Sequence, residues 1–404
     1  MQKPIVIKEL TSMAAASRLA ANQPVYLVDT TLRDGEQTAG VVFSHQEKLR
    51  IAQLLDEVGI DQIEAGIPAM GTEEAAVLKA IVRLNLRASI LGWARATIAD
   101  VQACIDCGVD AVEISSPVSD LHIQTKLGSS RATVLDNTAK AVAYAKRQGL
   151  YTSVGAEDAS RCDRAFLLQY AQAVKQAGAD RLRYCDTVGL LNPLALYEEI
   201  TWLRQQTDIA LEIHTHNDFG MATANAVAGF LAGGRFIDCT VNGLGERAGN
   251  AALEEVILAL NKTCGLKQRY VTDKIRPLCE FTANAAGRPL PAAKPIVGSS
   301  IFRHESGIHA DGILKDASLY EAFAPETVGT RREIVIGKHS GTAAVAHALQ
   351  RLGFNTEPEF ATYLLPKVRS QAIAVKRSLT AAELQTLANQ WLPCYQMSLV
   401  ARVT

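Results

Sequence analysis

Short apolar runs alternate with amphipathic stretches from about residue 25 to residue 264. The run Val25–Val28 leads into a polar loop, and Ser44-His45-Gln46-Glu47 then forms a capping box that opens a helix ending at Gly59. The short runs are apolar on both faces, as strands of parallel sheets are, and the longer stretches have helical periodicity. The pattern predicts eight strands that alternate with eight helices.

A motif that recurs along this region supports the same interpretation. Gly59–Pro68 is echoed by Gly108–Pro117 and, in part, by Gly178–Asp186. Each copy combines a helix-ending glycine, a tight turn, a short buried strand and a polar residue at the end of the strand. Repeated βα units in roughly 240 residues predict a (β/α)8 TIM barrel. A doubly wound open sheet is the alternative, although no Gly-x-Gly-x-x-Gly motif opens the first helix.

The composition changes after the barrel region. Arg288-Pro289-Leu290-Pro291 resembles a linker, and helical stripes appear at residues 343–352 and 382–390. We therefore predict an α/β chain with four parts. They are an N-terminal extension (1–23), a catalytic TIM barrel (24–280), a linker or lid subdomain (281–341) and a small C-terminal helical subdomain (342–404).

Composition narrows the class of protein. The 404 residues are 48% apolar and 21% charged, with a net charge of -1, so nothing indicates binding to nucleic acid or to an anionic membrane. No apolar run approaches the roughly 18 residues that span a bilayer, and residues 1–23 lack the continuous apolar core of a signal peptide. The eight cysteines are scattered through apolar segments, which favours reduced thiols and a cytoplasmic location.

Polar residues follow nearly every predicted strand. In TIM barrels the active site lies at the carboxyl ends of the strands, so these side chains are expected to meet there. Some of them are expected to be structural salt-bridge partners. The candidates in chain order are Arg33, Asp34, Glu64, Arg95, Thr187, Glu212, His214, His216, Glu246 and Asn250.

Strand seven carries the strongest candidate for a metal site. Glu212, His214 and His216 share one face of that strand, and burying two imidazoles and a carboxylate without a function is unfavourable. The two histidines alone could equally be structural. With Asp34 they form an oxygen and two-nitrogen set that leaves positions open for substrate, as in catalytic metal sites. Asn250 could add a weak oxygen ligand, and Mn, Mg, Zn, Co and Fe all remain possible.

Three ordered motifs resemble those of the metal-dependent TIM-barrel family that performs Claisen condensations. They are Asp29–Gln37, His214–Asp218 and Gly243–Asn250. The family includes isopropylmalate, citramalate and homocitrate synthases and hydroxymethylglutaryl-CoA lyase. The later stretches Ser306–Gly312 and Ile336–Gly341 resemble the post-barrel subdomain of the synthases.

Within this family the chain most resembles the nitrogen-fixation type of homocitrate synthase. The resemblance lies in Gly66–Gly71, Gly155–Arg161 and Arg303–His309. It implies condensation of acetyl-CoA with 2-oxoglutarate, and thioester hydrolysis to homocitrate and CoA, for the nitrogenase cofactor. Ser153 stands where homocitrate synthases of lysine biosynthesis carry an arginine for the distal carboxylate. The alternative is therefore an isopropylmalate or citramalate type of synthase acting on 2-ketoisovalerate or pyruvate.

The resemblance also implies a division of roles. One divalent metal ion binds the 2-oxo acid on Asp34, His214 and His216, with Asn250 nearby, and acetyl-CoA is the cosubstrate. The expected partner is a second copy of the chain, in a homodimer with shared active sites. The stretch after Ser340 is shorter than a leucine-sensing domain, so feedback by leucine is not expected. Catalytic roles fall on Arg33, His309, Tyr320, Glu212 and Glu246, and substrate-binding roles on Glu64, Arg95 and Thr187.

Other reactions remain open. The family also contains lyases, although the post-barrel subdomain favours a synthase. A carboxylate with two histidines can form the facial triad of an iron oxygenase that uses 2-oxoglutarate. That triad usually has its carboxylate close to the first histidine, whereas here the ligands are split between strands one and seven. A binding barrel without enzymatic activity is the last alternative.

Overall fold

The computed structural model describes residues 24–267, 269–355 and 357–403. The chain divides into two compact units, the first ending at Leu290 and the second beginning at Pro291. The predicted barrel end at residue 280 lies ten residues before this division, within a helix that packs on the barrel. The predicted extension over residues 1–23 lies outside the described residues.

Eight parallel strands close into a barrel, which confirms the predicted TIM-barrel fold. Neighbouring strands pair in chain order, and β8 closes the barrel against β1 with Val28 opposite Asp238. The strands are β1 (Tyr26–Asp29), β2 (Gln62–Glu64), β3 (Ser89–Arg95), β4 (Ala111–Pro117), β5 (Tyr151–Glu157), β6 (Arg181–Asp186), β7 (Ala210–Thr215) and β8 (Phe236–Cys239).

Ten helices accompany these strands in the described part of the first unit. The helix ends carry the capping residues that the sequence predicts. Ser44 caps the start of the first helix (His45–Val58), with its backbone N–H and hydroxyl bound to Glu47, and Gly59 caps the end with φ of +92°. The short helix α4 and the post-barrel helix α10 were not predicted. The helices are α1 (His45–Val58), α2 (Thr72–Val82), α3 (Ile98–Cys107), α4 (Asp120–Thr125), α5 (Arg131–Arg147), α6 (Arg164–Gln176), α7 (Pro193–Gln206), α8 (Ala222–Ala232), α9 (Leu253–Thr263) and α10 (Ile275–Ala285).

Alternation along each strand separates an apolar outer core from a charged lumen. On β7, Ile213 faces Gly229 of α8, so Glu212 and His214 point to the opposite side. Fully buried aliphatic side chains fill the space between strands and helices. The buried charged groups of the lumen include Glu64, Glu113, Arg181, Arg183, Glu212 and Asp238.

The second unit is mainly helical, which confirms the predicted helical C-terminal region. Two short parallel strands, β9 (Arg303–His304) and β10 (Glu333–Ile334), pair within it. Ala310 and Ile336 share one apolar core with Val345, Leu364 and Leu384, so residues on both sides of the predicted 341/342 boundary pack together. The helices are α11 (Gly307–Lys315), α12 (Thr342–Arg351), α13 (Pro358–Val375) and α14 (Ala381–Val403).

Candidate metal centre and active site

The loop after β1 carries Arg33 and Asp34 at the carboxyl end of the barrel. The Asp29 carboxylate binds the backbone N–H of Thr31 at 2.9 Å and its hydroxyl at 3.0 Å. The Thr31 hydroxyl also accepts a hydrogen bond from the N–H of Val241 at 2.8 Å. This turn therefore joins the loop after β1 to the loop after β8, the two segments that flank the candidate site.

Asp34, His214 and His216 converge at this end of the barrel, and all three are buried. Nε2 of His214 lies 3.1 Å from Nε2 of His216 and 3.4 Å from Oδ2 of Asp34. Nε2 of His216 lies 4.0 Å from the same carboxylate oxygen. One ligand atom from each residue lies within 4.8 Å of the other two, so the three side chains can hold a single cation.

The protonation of Asp34 and His216 fits a divalent metal ion. Burial and the neighbouring His214 lower the pKa of His216 to about 3, so its ring is neutral and offers a lone pair. Burial alone would raise the pKa of Asp34, but Arg33 and the two histidines outweigh it, and the net shift is downward. Two imidazoles and a carboxylate suit Mn, Fe, Co, Zn or Mg, and they do not select one of them.

Asn250 borders the metal site from the loop after β8. Its Nδ2 donates to Oδ2 of Asp34 and to the Leu244 carbonyl, each at 3.1 Å, while its Oδ1 is buried without a partner. Gly249 has φ of +92°, and a Cβ there would lie 1.9 Å from the Gly243 carbonyl oxygen. Only glycine therefore permits this turn. The turn holds Asn250 against Asp34 and leaves an unsatisfied oxygen in the site.

Buried charges that the sequence analysis had not assigned lie behind His214. Oδ2 of Asp238 is 3.0 Å from Nδ1 of His214 and 3.3 Å from Nη1 of Arg183. Arg183 also pairs with Glu64 at 2.6 Å and with Glu212 at 2.8 Å. Burial lowers the pKa of His214, but Asp238 outweighs that effect and the net shift is upward. The Asp238 contact fixes the orientation of the His214 ring, as carboxylates commonly do for metal-binding histidines.

Glu64 and Glu212 are fully buried and engaged with arginines. Glu64 binds Nε of Arg33 as well as Arg183. Oε2 of Glu212 lies 2.5 Å from Nε of Arg181, and Glu212 occupies the inward position on β7 next to that of His214. The structure thus places both carboxylates in the charged lumen beside the candidate metal ligands.

Arg247 connects the loops that follow β6, β7 and β8. Its guanidinium donates to Oδ1 of Asp218 at 2.8 Å and to the carbonyl oxygen of Thr187 at 2.7 Å. The Thr187 hydroxyl accepts a hydrogen bond from the N–H of Asp158 at 2.8 Å. Thr187 is half-buried within this joined set of loops, and its position is set by both neighbours.

Two of the proposed site residues of the first unit, Arg95 and Glu246, face solvent. Arg95, at the end of β3, pairs with Asp100 at 2.7 Å, and 68% of its side chain is exposed. Glu246 lies in the loop after β8 and is exposed. The structure does not bring either side chain into contact with Asp34, His214 or His216.

The remaining predicted residues, His309 and Tyr320, lie in the second unit. Their ring centroids are 4.3 Å apart, so the two side chains contact each other within one chain. A Cβ on Gly312 would lie 2.5 Å from the Tyr320 ring, so α11 needs glycine at this point of contact. Both rings are exposed, and Ile308 and Leu319 beside them are 77% and 59% exposed.

Comparison with known proteins defines the family. Residues 24–281 match the HMGL-like family, and residues 296–376 match the domain described as homocitrate synthase post-HMGL domain-like. The chain therefore belongs to the HMGL-like family and carries this second domain after its barrel. Within the residues that the structure describes, no helix is long and apolar enough to cross a membrane.

Individual relatives include two synthases and a lyase of known structure. The chain is 56% identical over 366 residues to 2-isopropylmalate synthase 2 of Caldanaerobacter subterraneus subsp. tengcongensis, covering 91% of this chain and 95% of that protein. It is 47% identical to homocitrate synthase 1 of Nostoc sp., covering 91% and 97%. The HMG-CoA lyase structure from Bacillus subtilis shares the fold, with a TM-score of 0.61 and 20% identity over 67% of this chain and 96% of that one. The two synthases confirm the prediction that the chain is an enzyme.

Proposed function

We propose that the chain condenses acetyl-CoA with a 2-oxo acid and that 2-oxoglutarate is that acid. Hydrolysis of the resulting thioester by water then gives homocitrate and CoA. The observation that carries the reaction class is the convergence of Asp34, His214 and His216 beside Arg33 in a family of synthases and lyases. A divalent ion bound there would act as a Lewis acid toward the ketone of the substrate. Arg33 would supply a fixed positive charge where the alkoxide develops.

The inner side of β4 and β5 is polar near Ser153, where an arginine was expected. A Cβ on Gly155 of β5 would lie 2.5 Å from the Glu113 carboxylate and 3.3 Å from the Ser115 hydroxyl of β4. Ser153, the position where an arginine was expected, is fully buried and binds Glu212 at 3.2 Å. A cation for the distal carboxylate must therefore come from elsewhere.

The loops after β4 and β5 offer such cations. Arg161 lies at the end of a 3-10 turn that follows β5, where its Nε binds Asp158 at 2.8 Å and its Nη2 lies 3.2 Å from Nε2 of His122. Lys126 binds the neighbouring Glu157 at 2.7 Å. These basic groups stand at the carboxyl end of the barrel, and Arg161 is the proposed contact for the substrate tail. Thr187 and Glu64 are proposed to orient the reacting end, and Arg95 remains a weaker proposal because Asp100 engages it.

Acid-base roles are proposed for His309 and Tyr320, with Glu246 and Glu212 as further candidates. The contact between the two rings supports a joint role, since a phenol can hydrogen-bond or polarise an imidazole beside it. Glu212 is better suited to orienting its neighbours, because both of its oxygens bind other buried side chains. Ile308 and Leu319 are large apolar side chains exposed beside these rings, which favours a protein–protein contact at this surface. We propose that a second copy of the chain covers it, in a homodimer with shared active sites.

Mixing inactive variants tests the shared site. His309→Ala and His214→Ala chains should each be inactive alone and should recover part of the activity after joint refolding or coexpression. A mixture of His214→Ala chains with Asp34→Ala chains is the control. It should stay inactive, because every barrel in the mixture then lacks one candidate metal ligand. Absence of recovery with the first pair would contradict shared sites.

A panel of 2-oxo acids tests the substrate. The metal-loaded protein is incubated with acetyl-CoA and 2-oxoglutarate, 2-ketoisovalerate or pyruvate, and thiol release and product mass are measured. We expect the highest kcat/KM with 2-oxoglutarate. Release with 2-ketoisovalerate but not with 2-oxoglutarate would overturn the homocitrate assignment. No release with any acid, together with cleavage of a hydroxyacyl-CoA or consumption of dioxygen, would overturn the condensation itself.

The second candidate is an isopropylmalate synthase, and the 56% identical relative of that name favours it. The same panel distinguishes the two candidates. A role in supplying the nitrogenase cofactor is proposed only from the nitrogen-fixation motifs in the sequence. It would be supported if the gene restored nitrogen fixation to a strain that requires added homocitrate.

A further inference from the structure

A cavity of about 820 Å³ lies entirely within the second unit. It is bordered by β9 and β10, by the end of α12 and by the segment that leads into α14. Its apolar lining includes Ile334, Ile336, Leu379 and Leu384, and the last three are buried beneath it. The volume falls within the range of small-molecule sites, which are commonly concave with apolar floors.

Positive charge dominates the rest of the lining. Among the described residues that line the cavity, Glu333 is the one carboxylate, and His347 adds an imidazole. The five arginines of the lining are Arg303, Arg331, Arg332, Arg351 and Arg377. Three of them have acidic partners, with Arg303 3.0 Å from Glu333, Arg332 2.6 Å from Glu321 and Arg377 2.8 Å from Glu383.

Arg331 and Arg351 differ from the other three. Both are exposed, and neither side chain has an ion pair or hydrogen bond within the part of the chain that the structure describes. Like charges that line one concavity repel each other, and an anion bound among them would relieve that repulsion. Guanidinium groups match phosphate oxygens in two-point geometry, so several arginines suit a ligand with more than one phosphate.

We propose that this cavity binds a nucleotide that carries a diphosphate. The two unpaired guanidinium groups contact the phosphates, and the apolar floor contacts the base. This chemistry has two sources: free ADP or ATP acting as an effector, and the nucleotide portion of coenzyme A. The coenzyme source rests on the proposed function, whereas the free nucleotide does not.

Calorimetric titration of the full chain with ADP at low ionic strength tests the site. The double variant Arg331→Ala/Arg351→Ala should bind ADP at least tenfold more weakly, because two charge-assisted contacts to the phosphates are lost. Arg83→Ala is the matched control, because Arg83 is also exposed, at the end of α2, and outside the cavity. Glu333→Gln should tighten binding by freeing Arg303.

Competition with CoA and the KM for acetyl-CoA distinguish a free nucleotide from the nucleotide portion of coenzyme A. CoA that displaces ADP, with a raised KM for acetyl-CoA in the double variant, assigns the cavity to the coenzyme. ADP binding without a change in that KM assigns it to a free nucleotide. Because ADP binding is measured without turnover, failure of the condensation assay leaves this result unaffected.

Three results would overturn the proposal. The first is no heat of ADP binding to the wild-type chain at millimolar concentration, and the second is equal affinity of the double variant and the Arg83→Ala control. The third is pyrophosphate binding as tightly as ADP, because the apolar floor would then contribute nothing. If the double variant instead converts a dimer into a monomer and the wild type binds no ADP, the cavity is a subunit interface.

Discussion

Asp238 accepts a hydrogen bond from Nδ1 of His214 at 3.0 Å, on the opposite side of the ring from His216. This contact assigns the proton to Nδ1 and leaves Nε2 of His214 as a potential ligand atom. Asp238 is itself held by Arg183 at 3.3 Å. The geometry of the candidate metal site therefore depends on residues that do not reach the metal position.

Replacing Asp238 by asparagine should weaken metal binding. Asp238→Asn keeps the shape of the side chain but removes the charge that orients and polarises His214, so we expect a roughly 10- to 100-fold loss of metal affinity. Competition with a chelator measures this affinity. Asp136→Asn, at an exposed pair with Lys140, is the control and should change nothing. An unchanged metal affinity in Asp238→Asn would contradict the orienting role. His214→Ala, which removes a candidate ligand itself, should abolish metal binding and turnover together.

Removal of the Arg183 guanidinium should destabilise the barrel. Arg183→Met leaves the carboxylates of Glu64, Glu212 and Asp238 buried with less compensation, which typically costs about 3–5 kcal/mol in the free energy of unfolding. Denaturant titration gives the value. Arg164→Met removes an exposed pair with Glu199 and should cost about 1 kcal/mol or less. Equal losses in the two variants would show that the buried network contributes no more than a surface pair.

Glu113 should make stability depend on pH. Burial raises its pKa from 4.5 to about 7, and neither of its carboxylate oxygens has a hydrogen-bond partner. Between these two pH values the folded state holds a proton that the unfolded state has lost, so stability falls with rising pH by about 1.4 kcal/mol per unit. Glu113→Gln removes this loss. Its stability relative to the wild type should rise from pH 4.5 to pH 7 and then level off.

The control for this titration is Glu57→Gln, which alters an exposed carboxylate paired with Arg50. Its unfolding free energy should run parallel to that of the wild type across the same pH range. A Glu113→Gln curve that also runs parallel to the wild type would mean that Glu113 is ionised throughout. The buried Arg183, 3.7 Å away, would then be the group that keeps it charged.

Arg161 is expected to discriminate among 2-oxo acids. Loss of a charge-assisted contact to a distal carboxylate should raise the KM for 2-oxoglutarate roughly 10- to 100-fold in Arg161→Ala and leave the KM for pyruvate unchanged. Arg164→Ala, three residues along the chain at an exposed position, is the matched control. A parallel rise for both acids would indicate a structural role for Arg161 through its bond to Asp158.

The barrel and the candidate metal ligands were predictable because they leave local patterns. Each strand is a short apolar run that ends at a polar residue, and the inward direction of Glu212 and His214 follows from the two-residue period. Asp34 could be added because strand ends of a TIM barrel meet at one face. Predicting the three candidate ligands therefore required only the order of the strands and the residue types at their ends.

The residues behind His214 left no such pattern. Asp238 and Arg183 lie on strands that are not adjacent, and their contact depends on the register in which all eight strands close. Sequence spacing does not carry that register. A polar residue at the inward position of β8 was the only available indication, and it is not specific.

In the second unit α13 escaped prediction, and α14 was predicted only over residues 382–390, for a different reason. Pro366 lies inside α13 and Pro393 inside α14, and proline usually ends a helix. The α13 helix continues because Phe360, Leu364 and Val368 bury one of its faces in the core of this unit. Tertiary packing therefore outweighs the lost backbone hydrogen bond.

Arg247 has a consequence for movement at the mouth of the barrel. Its contacts with Asp218 and with the Thr187 carbonyl tie three successive loops together through one guanidinium. These loops cannot open one at a time without breaking a charge-assisted bond. The N–H of Asp158 extends this coupling to the loop after β5 through the Thr187 hydroxyl, so a displacement of one of these loops is transmitted to its neighbours.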